Sequence, residues 1–295
     1  MTNNCIILQR IYSIILLVIK MKKKKLRFKK SVIYIFILII PIPILIFSSC
    51  KIINYLIDSP KTKEMITHVI DKTDIKEYES DEAEIIESDE LPNTPYWNYI
   101  KMNLIDVDFS ELKKINNETV SWIYLGGTNV NYPVVQTKDN DYYLTHSFDK
   151  SFNKAGWLFM DYRNSSTNYD KNTIIYAHNR KDKTMFGSLD NVLTNEWFDK
   201  DDNRVIKMST EKANTLWQIF SIYTIKTTND YIKTKFKDDN DYKEFLHLIK
   251  NRSYKNFNTN VTTKDKILTL STCHGSSKKL VVHAKLIKIE EKETQ

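Results

Sequence analysis

Two apolar runs near the C-terminus constrain this chain most. Ile267-Leu268-Thr269-Leu270-Ser271-Thr272-Cys273 leads into the small residues Gly275-Ser276-Ser277, and Leu280-Val281-Val282-His283-Ala284-Lys285-Leu286 follows at once. Both have strand composition, and the short turn lets the second return antiparallel beside the first. Alternate side chains of a strand share a face. Leu268, Leu270 and Thr272 therefore point one way, while Thr269, Ser271 and Cys273 point the other. The thiol stands at a strand end, at the rim of a sheet, beside two hydroxyls. Taken alone, such a cysteine reads either as a buried, inert side chain or as a reactive one.

Further strand patterns occupy residues 120–125, 132–136, 156–160, 173–177, 204–208 and 215–225. With 266–272 and 280–289 they make eight, joined by irregular connections, which predicts a mainly β chain closed or nearly closed into a barrel. Gly126-Gly127 marks a turn, and Pro133 suits a strand start or edge. Residues 96–102 and 109–115 read as short helices. Residues 241–250 read as a further helix just before the cysteine strand, with Tyr242, Phe245, Leu246 and Ile249 at helical spacing to pack on the barrel.

Composition narrows the chemistry. The 41% hydrophobic content is ample for a core, and 295 residues allow one or two domains. Only 5 glycines occur, with no G-x-G-x-x-G or G-K-[ST] pattern, which argues against phosphate-cradling loops. The net charge of +7 invites a nucleic-acid reading, but many of the positive charges sit in one run, residues 20–30. That run is better explained at a membrane, so no nucleic-acid partner is expected. Of Cys5, Cys50 and Cys273, only the last lies outside the apolar N-terminus. Neither an internal disulfide framework nor a cysteine-based zinc site can be built from it.

In chain order, the apolar stretch 11–19 is too short to span a bilayer, which takes about 20 residues. Residues 1–31 read as a basic cytoplasmic segment, and Met21 is the expected natural start because the basic block and one apolar run make a complete anchor. Residues 32–57 are the predicted single transmembrane signal-anchor, with Pro41 and Pro43 as kink sites. The positive-inside rule puts the downstream chain outside the cell. Residues 58–95 are charged, most acidic over 71–90, and read as a solvated stalk. The globular domain is expected over 96–290, with 291–295 as a tail.

A thiol nucleophile needs a partner for its proton, most often histidine. Of six histidines, His68 falls in the stalk, His247 on the polar side of a helix and His146 in a loop. His274 would point away from Cys273 if the strand continued, and His283, in mid-strand, reads as a surface or packing residue. His178 differs. Thr173-Ile174-Ile175-Tyr176-Ala177 delivers it at a strand end, just as the other strand delivers Cys273. A cation for a developing oxyanion is the third requirement. Lys278 and Lys279 open the strand paired with Cys273, and Lys279 shares a face with Val281 and His283. Ser271 and Thr272 are the expected substrate contacts, and no metal ligand set is expected.

At these residues a resemblance enters. Thr269-Leu270-Ser271-Thr272-Cys273 resembles the T-L-x-T-C signature of sortases, the membrane-anchored cysteine transpeptidases of Gram-positive bacteria. Several ordered blocks resemble the class B branch: Trp122-Ile123, residues 128–136, Asp139-Asn140-Asp141-Tyr142-Tyr143-Leu144, Lys154-Ala155-Gly156, residues 159–164, and Tyr176-Ala177-His178-Asn179 followed by Met185-Phe186-Gly187-Ser188-Leu189. The resemblance covers about residues 96–290. It implies an eight-stranded sortase-type barrel with N-terminal helices and a helix before the cysteine strand. It also implies a thioacyl intermediate on Cys273, protonation of the leaving amine by His178, and no metal or organic cofactor. The implied partners are secreted proteins with C-terminal motifs of the N-P-x-T-x kind, and a peptidoglycan cross-bridge amine or lipid II as acceptor.

One position departs from the family. Where it carries an arginine, alignment puts Lys279, which supplies charge without the planar fork. Either Lys279 serves, or Arg180 or Arg252 reaches in from a neighbouring loop, or the enzyme is impaired; position favours Lys279. Beside cell-wall transpeptidation, three readings stand: a pilin polymerase, a plain cysteine protease in which water completes the reaction, and a sorting-signal binding module without turnover.

Overall fold

The computed structural model describes residues 41–86, 89–274 and 277–293. The basic segment 1–31, the first part of the anchor and Gly275-Ser276 of the expected turn lie outside the described residues. The chain divides into two compact units, one ending at Ile53 and one comprising Asn54–Gln295. Helix α1, Pro41–Asp71, is long and apolar enough in its first half to cross a membrane. Ile44, Leu45, Ile46, Ile52, Ile53 and Leu56 on it are exposed.

The segment read as a solvated stalk folds onto the rest of its unit instead. In the second half of α1, Thr62 and Val69 are buried, and Met65 and Ile66 pack against the main core. Asn153 Nδ2 donates to Thr62 Oγ1 at 3.0 Å. Strand β1 (Ile75–Tyr78) then pairs antiparallel with β3 (Leu104–Val107), and β2 (Glu84–Ile85) adds to the edge of the last strand. Glu90, from the acidic run, is buried as the partner of Lys285, with Nζ 2.8 Å from its carboxylate. The high charge of 58–95 masked these features: a short apolar face on α1, and a carboxylate whose burial is offset by a buried ammonium.

Eight strands close the barrel: β4 (Thr119–Leu125), β5 (Asn131–Val135), β6 (Phe159–Met160), β7 (Asn172–Tyr176), β8 (Val205–Ser209), β9 (Ala213–Lys226), β10 (Ile267–His274) and β11 (Lys278–Glu291). Around the ring the order is β10-β7-β6-β5-β4-β8-β9-β11, and the β10–β11 pairing completes the circle. Two neighbours are parallel, β10 with β7 and β5 with β6; the rest are antiparallel. The eight strands of the sequence reading are all present. Three differ most in extent, since 156–160 forms a strand only at Phe159–Met160, 215–225 lengthens to Ala213–Lys226 and 280–289 lengthens to Lys278–Glu291.

Alternation along β10 and β11 does what the residues dictate. Leu268, Leu270, Leu280, Val282 and Ala284 join the barrel interior with Trp122, Trp217 and Ile222. Ile267 and Val281 face outward into a second cluster beneath α5, Asp239–Asn251. That helix starts where Asp238 accepts a hydrogen bond from the Asp241 backbone N–H, an N-cap. It presents Tyr242, Phe245, Leu246 and Ile249 to Phe220 and Tyr223 of β9. Two shorter helices, α2 (Tyr96–Tyr99) and α3 (Ser110–Ile115), precede the barrel, and α4 (Asn195–Phe198) precedes β8.

Candidate active site

The parallel pairing of β7 with β10 sets the site. Their register runs Ile267↔Asn172 through Ser271↔Tyr176, so both strands leave the barrel at the same rim. The Thr272 hydroxyl donates to the Ala177 carbonyl at 2.7 Å and carries that pairing one step further. His178 and Cys273 then extend the two strands side by side. With a period of two, they fall on the face shared by Tyr176 and Ser271.

On the other side of β10, Cys273 is the register partner of Lys279 in β11. The Lys279 ammonium donates to Cys273 Sγ at 3.2 Å, and the thiol is exposed. The buried, inert reading of the cysteine is thereby excluded. A cation against sulfur offsets negative charge there as the thiol proton leaves.

His178 is half-buried. Its Nε2 lies 2.8 Å from the Leu144 carbonyl oxygen. A carbonyl only accepts, so the proton is on Nε2, and Nδ1 carries the lone pair of the neutral ring. Burial pushes the imidazole below its ordinary value. The Leu144 carbonyl pulls it back up, and the charges of Arg180 and Lys279 add to the lowering. Neutral imidazole is therefore the resting form near pH 7. Gly156 makes room for this ring. Its φ is +63°, and a β-carbon there would stand 2.5 Å from the Tyr143 carbonyl oxygen and 3.1 Å from His178 Cδ2.

The other candidates are occupied elsewhere. Arg180 is buried against Asp182 at 2.7 Å, donates to Ser59 Oγ and Thr184 Oγ1, and stacks over Tyr55. Arg252 makes a two-pronged pair with Asp230 at 2.9 and 2.6 Å. Among the described residues, neither has a hydrogen bond to Cys273. Ser271 and Thr272, expected to contact substrate, are both buried: Ser271 Oγ meets Tyr231 OH at 3.0 Å, and Thr272 is bonded to Ala177. Thr272 points inward with Leu270, and Ser271 lies under the connection that carries Tyr231. Both position the rim rather than line it.

The same outward face of β10 carries a second polar chain deeper in the protein. Thr269 donates its one hydroxyl proton to Asn172 Oδ1 at 2.6 Å and must accept from His283 Nδ1 at 2.8 Å. His283 Nε2 then accepts from Tyr223 OH at 2.9 Å. Burial pushes this fully enclosed imidazole down to about 3. The packing role read for His283 is correct, and a surface role is not.

Three contributors had no sequence signature of their role at the site. Leu144 lies in a block that carries the resemblance, but its carbonyl acts through backbone, which any residue supplies. Gly156 lies in another such block, and its left-handed φ and its place against His178 show only in the fold. Tyr231 is an aromatic in a loop, seen only once the fold lays it on β10. Among the described residues, no group of three or more His, Cys, Asp or Glu side chains could hold a metal ion.

Comparison with known proteins accords with this geometry. Residues 123–287 match the Sortase domain family. Sortase B of Staphylococcus aureus (strain NCTC 8325 / PS 47) is 41% identical over 185 residues, covering 61% of this chain and 75% of that protein. Sortase B of Listeria monocytogenes serovar 1/2a (strain ATCC BAA-679 / EGD-e) is 36% identical over 187 residues, covering 61% and 74%. Among solved structures, the S. aureus sortase B–substrate complex aligns with a TM-score of 0.58 at 41% identity, covering 61% of this chain and 84% of that one. Sortase B from B. anthracis in complex with AAEK1 aligns at 0.62 and 34%, covering 80% and 99%. A thiol and an imidazole on adjacent strand ends of a closed eight-stranded barrel, with sequence likeness across it, lead to one assignment: the chain belongs to the sortase family and, within it, to the class B sortase transpeptidases.

Proposed function

We propose that this class B sortase cleaves a C-terminal sorting motif of the N-P-x-T-x kind after Thr and joins the protein to a peptidoglycan amine, on a cross-bridge or on lipid II. The observation that carries the reading is the Lys279 ammonium 3.2 Å from the Cys273 sulfur, beside the strand end bearing His178. The Cys273 sulfur attacks the Thr carbonyl, and neutral His178 takes the thiol proton and hands it to the leaving amine. Lys279 offsets charge on sulfur before attack and on the oxyanion during it. The acceptor amine then attacks the thioacyl carbonyl, and the thiolate leaves. Relatives support both halves: S. aureus sortase B has been solved as a substrate complex, and a sortase B has been solved in complex with triglycine.

In this reading residues 32–57, of which 41–57 lie in α1, are the signal-anchor. The N-terminus is cytoplasmic, and the catalytic domain faces outward toward secreted substrates and the cell wall. The full chain in detergent, incubated with a pool of sorting-motif peptides with and without triglycine, tests it by intact mass. A Cys273 adduct converted by the amine into a joined peptide is the expected result. Cleavage by water alone would make the protein a protease, joining only to a protein lysine would make it a pilin polymerase, and binding without adduct would leave a recognition module.

A further inference from the structure

Besides lacking the planar fork, a lysine beside the nucleophile differs from an arginine in that, when neutral, it is itself a primary-amine nucleophile. Lys279 and Cys273 are Cα partners across β10 and β11, with Nζ 3.2 Å from Sγ. A carbonyl carbon bonded to Sγ would come within near-attack range of Nζ, about 3–3.5 Å, by side-chain rotation alone. We propose that Lys279 is an internal acyl acceptor, so that an acyl group loaded on Cys273 migrates from sulfur to nitrogen and ends as an amide on the enzyme's own lysine.

The step balances. The neutral amine's lone pair attacks the thioacyl carbonyl, the C–N bond forms and the C–S bond breaks. Sulfur leaves with its electron pair as thiolate, and the surplus amine proton passes to that thiolate or to His178. No redox partner is needed. The inference rests on the proposed function only in that an acyl group must first reach Cys273. Acceptor amines compete with the migration, which consumes one acyl group per chain and removes the cation beside the thiol.

The charged and titratable groups around Lys279 are Cys273 on β10, His178 after β7 with Arg180 beyond it, Tyr231, whose phenol is raised chiefly by burial, and Lys226 of β9, register partner of Lys278. Acylation removes the thiolate from this set and leaves its cations. An ammonium cannot attack, so the migration needs the neutral amine and quickens as pH rises.

The test uses the full chain in detergent, with a peptide α-thioester as probe, because it loads an accessible thiolate without any sorting motif. After incubation near pH 8 and pH 9, neutral hydroxylamine strips thioesters and leaves amides, and peptide mapping locates what remains. The expected result is a hydroxylamine-resistant acyl group on Lys279, formed faster at the higher pH. It should be absent in Cys273→Ala, and Lys279→Arg should hold only the labile thioester. Acyl groups that stay labile in the unsubstituted chain, a thioester that never loads Cys273, or lysine acylation equal in Cys273→Ala would each overturn the proposal. A parallel arm with sorting-motif peptides separates the two readings. Lys279 acylation from the thioester, with no adduct from any motif peptide, would sink the proposed function and leave this inference standing.

Discussion

His178 and His283 are both delivered by barrel strands next to β10, and both are held below the ordinary imidazole value, yet they do opposite jobs. His283 is fully buried on the outer face of the barrel wall with each ring nitrogen committed, Nδ1 to Thr269 and Nε2 to Tyr223. His178 stands at the rim with one nitrogen on a backbone carbonyl and its neighbour, Cys273, open to solvent. A saturated network rigidifies; a partly saturated one at a surface retains capacity for a ligand. The rim and the buried part of the barrel wall thus separate chemistry from structure by how much hydrogen-bonding capacity the protein has already used.

That contrast breaks first at the rim. Cys273→Ala should remove turnover by at least about 10⁴-fold with no loss of thermal stability, because an exposed thiol carries little packing; steady-state kinetics and a melting curve read both. A matching fall in stability would mean that the cysteine is structural after all. Next, His178→Ala should lower kcat by about 10²–10⁴-fold, the usual range for a general acid–base group, and stability should change little.

In the buried part of the wall the effects move from rate to stability. His283→Leu leaves the Tyr223 hydroxyl and the Thr269 oxygen without their buried partner and should cost about 2–4 kcal/mol in denaturant unfolding. Acid should reveal the same residue. The unfolded chain protonates His283 more readily than the folded one, so the stability contributed by its neutral form is present above about pH 6.5. It is lost as pH falls toward about 3, at about 1.4 kcal/mol per unit. Subtracting the stability–pH profile of His283→Gln isolates it, and parallel profiles would deny the buried neutral ring. The smallest effect is expected at Thr272→Val, which removes the bond to Ala177 for about 1 kcal/mol while loosening the Cys273–His178 alignment. It should lower kcat more than it raises KM.

Much of this was legible in the residues because strand alternation is strict. The 2-residue period sorted Leu268 and Leu270 inward and Cys273 outward, and the 3.6-residue spacing of Tyr242, Phe245, Leu246 and Ile249 found α5. The anchor of the rim, parallel pairing of strands nearly a hundred residues apart, has no local signal. The segment 58–95 was misjudged because mean charge outweighs a few apolar residues in any composition argument, although Val69 and the Glu90–Lys285 pair decide where it lies. Ser271 and Thr272 were expected at the substrate for their closeness to the thiol in sequence. On a strand the adjacent Thr272 turns toward the core, while Ser271, on the thiol's own face, is covered by the connection that carries Tyr231.

The central claim is that Lys279 supplies the positive charge that the cysteine chemistry needs, and kcat/KM for Lys279→Ala and Lys279→Arg in amine-dependent joining of a sorting-motif peptide tests it most directly. The alanine variant should lose about 10²–10³-fold, and the arginine variant should retain most of the activity. Undiminished turnover in Lys279→Ala would contradict the account.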